Sequence, residues 1–347
     1  MPDSERPERI PVTVLTGFLG AGKTTLLNRL LADAAFRDTA VIVNEFGAVG
    51  IDADLVETAG ERAFAMTTGC LCCTVAGDVR LTLLRLAEDA AAGTGPAFRR
   101  LVIETTGLAD PAPVLHALMT SDLILERYVL NGVVTVVDAV NGDATLDRFE
   151  EARRQAATAD LIVVAKSDLA PDGPTAALVA RLAALNPNAA MAAADAVGPG
   201  DVFGLAAFDP ALKPPQAADW LRFASAHGRH DHRHGADIAA YGFTGQEPVN
   251  PWDVQDMIEA LQAALGPDLL RLKAIVRLDE DPERPVILHA VQHVLHPPAR
   301  LAAWPDGLRG TRLVVIVAGP KRGDVTDLVR RFLPSLAPLS AGFAAAS

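Results

Sequence analysis

The residue types with the clearest chemistry lie near the start of the chain, in Thr16-Gly17-Phe18-Leu19-Gly20-Ala21-Gly22-Lys23-Thr24-Thr25. They match the pattern G-x-x-x-x-G-K-[ST], between an apolar run, Ile10 to Leu15, and a stretch of helical spacing, Leu26 to Leu31. Strand, loop and helix in that order are the context a phosphate-binding loop needs. Gly17, Gly20 and Gly22 let the backbone adopt conformations closed to other residues and turn its amides inward. Those amides and the positive end of the following helix can cradle a β-phosphate. Lys23 can bridge β- and γ-phosphates, Thr24 can give its hydroxyl to Mg²⁺, and Ala21 and Thr25 complete the loop. The stretch predicts binding of a nucleoside triphosphate.

Two acids fall where they could serve the same ligand. Asn44-Glu45-Phe46-Gly47 follows the β-branched run Val41-Ile42-Val43, and Glu104-Thr105-Thr106-Gly107 follows Leu101-Val102-Ile103. A carboxylate at such a strand end can approach Mg²⁺ or its water shell. Glu104 takes the place of a Walker B acid, and Gly107 leaves room beside a γ-phosphate. Lys23, Glu45 and Glu104 are therefore the candidate catalytic groups, and Thr24 and Glu104 the candidate Mg²⁺ ligands. Further on, Ala165-Lys166-Ser167-Asp168 has the form of a base-reading loop. Asp168 could accept from both the N1–H and the N2 amine of guanine, a pairing adenine cannot offer. Lys166 could lay its methylene stem along the base.

All three cysteines, Cys70, Cys72 and Cys73, lie within four residues. Thiolates at that spacing can share one ion such as Zn²⁺ or Cu(I). Buried free thiols and a redox pair are the other uses of such residues. A disulfide framework would spread its cysteines along the chain. His227, His230, His232 and His234 form a tract that either holds Zn²⁺, Co²⁺ or Ni²⁺ loosely or is merely a solvated linker. His289, His293 and His296 read as surface residues.

The elements that must position these groups follow from the pattern of apolar runs. Short β-branched runs at 10–15, 41–43, 101–103, 133–137 and 161–165 alternate with helical stretches. That is an α/β fold with a mainly parallel sheet covered by helices, its ligand beyond the carboxyl ends of the strands. Proline, glycine and histidine then dominate, and a second patterned region follows. It has strands near 238–243, 273–278, 286–294 and 312–317, a helix opened by Asn250-Pro251, and a closing helix at 324–333. The expected organisation is a nucleotide-binding domain at 1–205, a linker at 206–236, and a smaller α+β domain at 237–337.

The formal net charge of −12 and the lack of a basic stripe argue against a nucleic-acid partner. No apolar run approaches membrane-spanning length and nothing reads as a signal peptide, so a cytoplasmic protein without a membrane partner is expected. A homodimer is compatible with the sequence.

Together, GFLGAGKTT at 17–25, NEFG at 44–47, GCLCC at 69–73 and ETTG at 104–107 resemble the CobW/YjiA family of GTPases, relatives of the HypB and UreG metallochaperones. Asp110-Pro111, the run Asn131 to Val140, Leu269 to Lys273, Val291-Gln292 and Trp304 extend the likeness over most of the chain. The resemblance implies a Mg²⁺-dependent P-loop GTPase that holds Zn²⁺, or Co²⁺, at CxCC and delivers it to a metal-dependent client protein. It also gives the triphosphate its base, guanine, and gives Cys70, Cys72 and Cys73 their role as metal ligands. Ala165 stands where the family pattern has Asn, Thr or Ser, so a weakened guanine preference is expected. A nucleotide-switched metal store, and an insertion factor dedicated to one cobalamin- or nitrile-hydratase-type enzyme, are the alternatives.

Overall fold

The first apolar run forms strand β1 (Ile10–Gly17), whose last six residues are buried. A strand buried on both faces needs neighbours on both edges, and β1 has them: β4 (Arg100–Glu104) and β5 (Tyr128–Asp138), both parallel to it. In the computed structural model the sheet continues outward through β2 (Thr39–Glu45) to β3 (Ala65–Gly69) on one side. On the other it runs through β6 (Leu161–Ala165) to β7 (Ala190–Ala193), giving the order β3-β2-β4-β1-β5-β6-β7. The structure describes residues 9–45, 65–69, 75–94, 98–170, 172–205, 238–305, 308–319 and 322–339. The predicted linker, with its histidine tract, lies outside the described residues, as do Phe46, Gly47 and the three cysteines.

Every run read as a strand of the first sheet is one. Two strands, β3 and β7, carry no apolar alternation strong enough to be read from sequence. β3 is the sequence Ala-Met-Thr-Thr-Gly, and it forms because the free edge of β2 supplies a ladder, Val41 opposite Ala65 through Glu45 opposite Gly69.

The described residues fall into two compact units, the first made of 1–138, 161–166 and 192–208 and the second of 139–160, 167–191 and 209–347. In the first, the polar contacts that brace β1 are buried. Asn131 Nδ2 donates to Thr13 Oγ1 (2.9 Å) and to the carbonyl of Val202 (2.8 Å).

The second unit is built on an antiparallel sheet of β8 (Ile238–Gly245), β9 (Leu269–Val276), β10 (Val286–Val291), β11 (Val294–Leu295), β12 (Ala299–Arg300), β13 (Thr311–Ala318) and β14 (Ala337–Pro338). The order is β11-β10-β9-β13-β8-β14, with β12 also on β10. One face packs on the helices Pro251–Leu265 and Arg322–Phe332 through Met257, Leu261, Leu272, Val315, Val325 and Val329. Asn250 caps the first of these, its Oδ1 accepting from Trp252 N at 2.9 Å, as its position before Pro251 predicts. The opposite face buries Leu270, Val314 and Ile316 with Ala157 of the helix Glu150–Thr158.

The surface reading of the C-terminal histidines is wrong for two of the three. His293 is exposed, but His289 and His296 are buried. Gln292, at φ 51°, turns the chain between β10 and β11, and that hairpin brings the two imidazoles together with ring centroids 4.7 Å apart.

Candidate nucleotide site

The phosphate loop leaves β1 at Gly17 and enters the helix Lys23–Leu31 through Gly22, which is left-handed at φ 104°. At Gly17 glycine is required twice over: its φ is 141°, and a Cβ there would lie 2.3 Å from the carbonyl oxygen of Val136 on β5. Gly107 is required by close approach alone. A side chain on it would meet Leu19 Cα at 2.5 Å, so the loop after β4 lies directly against the phosphate loop.

Lys23 is buried, and its Nζ donates to the carbonyls of Gly17 (2.9 Å) and Phe18 (3.4 Å), curling the side chain over its own loop. Thr24 Oγ1 donates to Glu104 Oε1 at 2.9 Å, and Glu104 is buried at the end of β4. The parallel pairing makes this contact possible. Leu15 lies opposite Glu104, so the strand-end acid falls beside the first turn of the helix that β1 leads into. Just beyond it, Thr105 Oγ1 donates to Thr16 Oγ1 (2.8 Å), and Thr105 N donates to the carbonyl of Leu15 (2.9 Å). The sequence-predicted residues Gly17, Gly20, Gly22, Lys23, Thr24, Glu104 and Gly107 are thus gathered at one end of one sheet.

Glu45 ends β2 in the same direction. Val43 pairs with Glu104 across β2 and β4, and Glu45 with Gly69 across β2 and β3. The backbone therefore delivers Glu45 and Gly69 to the end of the sheet that carries the phosphate loop. Cys70, Cys72 and Cys73 are outside the described residues. Among the described residues no group of three or more His, Cys, Asp and Glu side chains is placed to hold a metal ion.

Lys166 stands at φ 59°, just past β6, and its Nζ donates to the carbonyl of Gly20 (2.7 Å) and to Asp138 Oδ2 (2.8 Å). Asp168, in the exposed turn Ser167–Leu169, is two residues further on. Asp138 is a functional-site neighbour that sequence reasoning did not single out. The signal was there: it is the one acid on an eleven-residue strand that is buried throughout, and it stands at the phosphate end, as Glu104 does.

A glycine loop at the carboxyl end of a central parallel strand, with its lysine and a strand-end carboxylate against the next threonine, defines a P-loop NTPase. The second, antiparallel sheet sets the chain apart within that class. It belongs to the CobW/HypB/UreG family, whose nucleotide-binding domain matches residues 11–193, and the cobalamin synthesis protein cobW C-terminal domain matches residues 238–333. The zinc chaperone YjiA of Escherichia coli is 35% identical over 290 residues, covering 82% of this chain and 87% of that protein. The zinc-regulated GTPase metalloprotein activator 1 of Schizosaccharomyces pombe is 36% identical over 167 residues, 46% of this chain and 39% of its own length. Among solved structures, a zinc-bound triple mutant of the YjiA GTPase superposes with a TM-score of 0.71 at 26% identity, covering 94% of this chain and 99% of that one. No helix among the described residues is long and apolar enough to cross a membrane.

Proposed function

We propose that this protein is a GTPase that carries Zn²⁺ and hands it to a metal-dependent client, with nucleotide state controlling release. GTP sits on the phosphate loop. Lys23 exchanges its carbonyl partners for phosphate oxygens, which are stronger acceptors because they carry charge. Asp168, two residues past Lys166, is the carboxylate assigned to the guanine edge. Thr24 and Glu104 suit Mg²⁺, since both offer hard oxygens and they already touch at 2.9 Å. Bound there, the ion would neutralise charge on the phosphates.

The observation that supports the metal half of this reading is the register of β3. Its last residue, Gly69, pairs with Glu45 at the phosphate end of the sheet, and CxCC follows it in sequence. Cys70, Cys72 and Cys73 then act as thiolate ligands of Zn²⁺, with Co²⁺ as a second cargo of similar coordination. A thiol cluster that follows this strand end in sequence and leads on to the Glu104 strand would respond to the loss of a γ-phosphate. A passive store has no need of that location. Linkage requires GTP to tighten Zn²⁺ binding by the same factor as Zn²⁺ tightens GTP, with coupling of ~1–3 kcal/mol typical of such pairs.

A second reading, storage of the ion away from the nucleotide, draws support from the solved relative. That mutant has a glutamate and two cysteines replaced by alanine, yet it is zinc-bound. Here the tract His227 to His234 could play that part. One titration separates the two readings: Zn²⁺ affinity with a non-hydrolysable GTP analogue, with GDP and with neither, on the native chain and on a Cys70, Cys72, Cys73 to Ser variant. The chaperone reading expects roughly 5- to 150-fold tighter binding with the analogue, lost in the variant. Equal affinities in all three states would place storage first.

A further inference from the structure

Ala165 brings no polar atom to the turn after β6, so its side chain cannot tie the base-reading loop to the phosphate loop. The tie comes from the next residue instead. Asp138 is paired in register with Ala165 across β5 and β6, which places its carboxylate beside the backbone that leads into Lys166. Lys166 takes the left-handed conformation at φ 59°, unfavourable for a residue with a Cβ. In that conformation its Nζ reaches both Asp138 Oδ2 at 2.8 Å and the carbonyl of Gly20 at 2.7 Å. Gly20 is in the middle of the phosphate loop, and a side chain on nearby Gly22 would stand 3.6 Å from Ala165 Cβ. The two loops are in contact, and the ammonium of Lys166 is the polar stitch between them.

We infer that Asp138 is a positioning residue for guanine recognition, holding Lys166 so that the base-reading loop is locked to the phosphate loop. The inference rests on the GTPase reading above. Asp138 touches no nucleotide in this account; it acts through Lys166. Its second effect is on charge. The Asp138 side chain is 11% exposed and that of Lys166 35%, so the pair is partly shielded and the lysine's charge is largely answered by the carboxylate. Lys166 therefore contributes order more than attraction for phosphate. Removing the carboxylate should loosen base recognition while leaving affinity for a bare polyphosphate undiminished.

Titration calorimetry with GTP, ATP and inorganic tripolyphosphate tests this on the full chain, with Asp138→Asn, Lys166→Met and the double variant. The GTP-over-ATP preference should fall roughly tenfold in each single variant, the size of one charge-assisted hydrogen bond. It should fall no further in the double variant, and tripolyphosphate should bind Asp138→Asn and the double variant at least as tightly as the native chain. A preference that survives Asp138→Asn, or losses that add in the double variant, or an equal loss of tripolyphosphate affinity in Asp138→Asn, each overturns the inference. A native chain that shows no preference for GTP removes the base reading and this inference with it. If Asp138→Asn does not fold, Lys166→Arg and Lys166→Met decide. Arginine can still reach both acceptors and should keep the preference, and methionine should lose it; equal behaviour overturns the inference.

Discussion

Among the described residues two lysines are buried, and they are buried differently. Lys23, at the phosphate loop, donates to the carbonyls of Gly17 and Phe18, neutral acceptors on its own loop. Lys273, on β9, donates to Asp160 Oδ1 at 2.6 Å, and Arg271 donates to the same oxygen at 2.6 Å and to the carbonyl of Thr158 at 2.9 Å. Leu272, Ala274 and Val276 of β9 face the apolar core, so alternation puts Arg271 and Lys273 on the other face, in the same unit as Asp160. Carbonyl oxygens are acceptors that a lysine can exchange for the charged oxygens of an anionic ligand. A cation that only secures a fold is given a carboxylate it cannot easily exchange. The difference lies in the acceptors each lysine is seen to use, backbone carbonyls at the phosphate loop and a shared carboxylate on β9.

The largest effect should come from breaking the structural cluster. Asp160→Asn leaves Arg271 and Lys273 buried together without their shared anion, which should cost about 3–5 kcal/mol of folding stability. Urea denaturation measures the loss, and GTP affinity of the folded fraction should stay within a few-fold of native. A stability loss below 1 kcal/mol would show that the cluster is not what holds this face. Lys23→Ala should do the reverse. Stability should shift by under about 1 kcal/mol, while GTP affinity falls by about 2–4 kcal/mol, on the order of 30- to 1,000-fold. Unchanged GTP binding by calorimetry would place the phosphates elsewhere.

A smaller effect should appear as pH dependence confined to the second unit. Burial, with His296, Arg271 and Lys273 close by, holds the pKa of His289 well below its ordinary 6.5. As pH falls through 6.5 the unfolded chain takes up a proton on this imidazole and the folded chain does not. The unfolded state binds more protons, so acid lowers stability, by at most about 2 kcal/mol at pH 5 from this group. His289→Leu should flatten the slope of unfolding free energy between pH 6.5 and 5, and an unaltered slope would rule His289 out as its source. Lys273 acts at the other end of the scale. Burial, partly offset by Asp160, lowers its pKa to about 8 from 10.5. Between those values the unfolded chain again holds more protons, so this group makes stability rise with pH across that window.

Most of the nucleotide site could be read from the sequence, because its chemistry is local. Glycine conformation, the lysine and threonine that open the helix, and the apolar run before it lie within a few residues of one another, and no distant partner is needed to specify them. Glu104 and Lys166 could be singled out because one ends a buried strand and the other directly follows one, at the end of the sheet that the phosphate loop marks. The thiol cluster was equally plain as a pattern, but its spacing is shared by a metal site, a redox pair and buried free thiols.

Tertiary structure decided the rest, wherever a residue's meaning depends on a neighbour far along the chain. The strand at Ala65–Gly69 exists because β2 offers it an edge. The burial of Arg271 and Lys273 depends on Asp160, more than a hundred residues earlier. His289 and His296 read as surface residues until the turn at Gln292 and the packing of β10 enclosed them. Asp138 found its role only when the pairing of β5 with β6 set it beside Ala165. Period and residue type specify an element, but burial and partner choice are properties of the sheet that the elements build together.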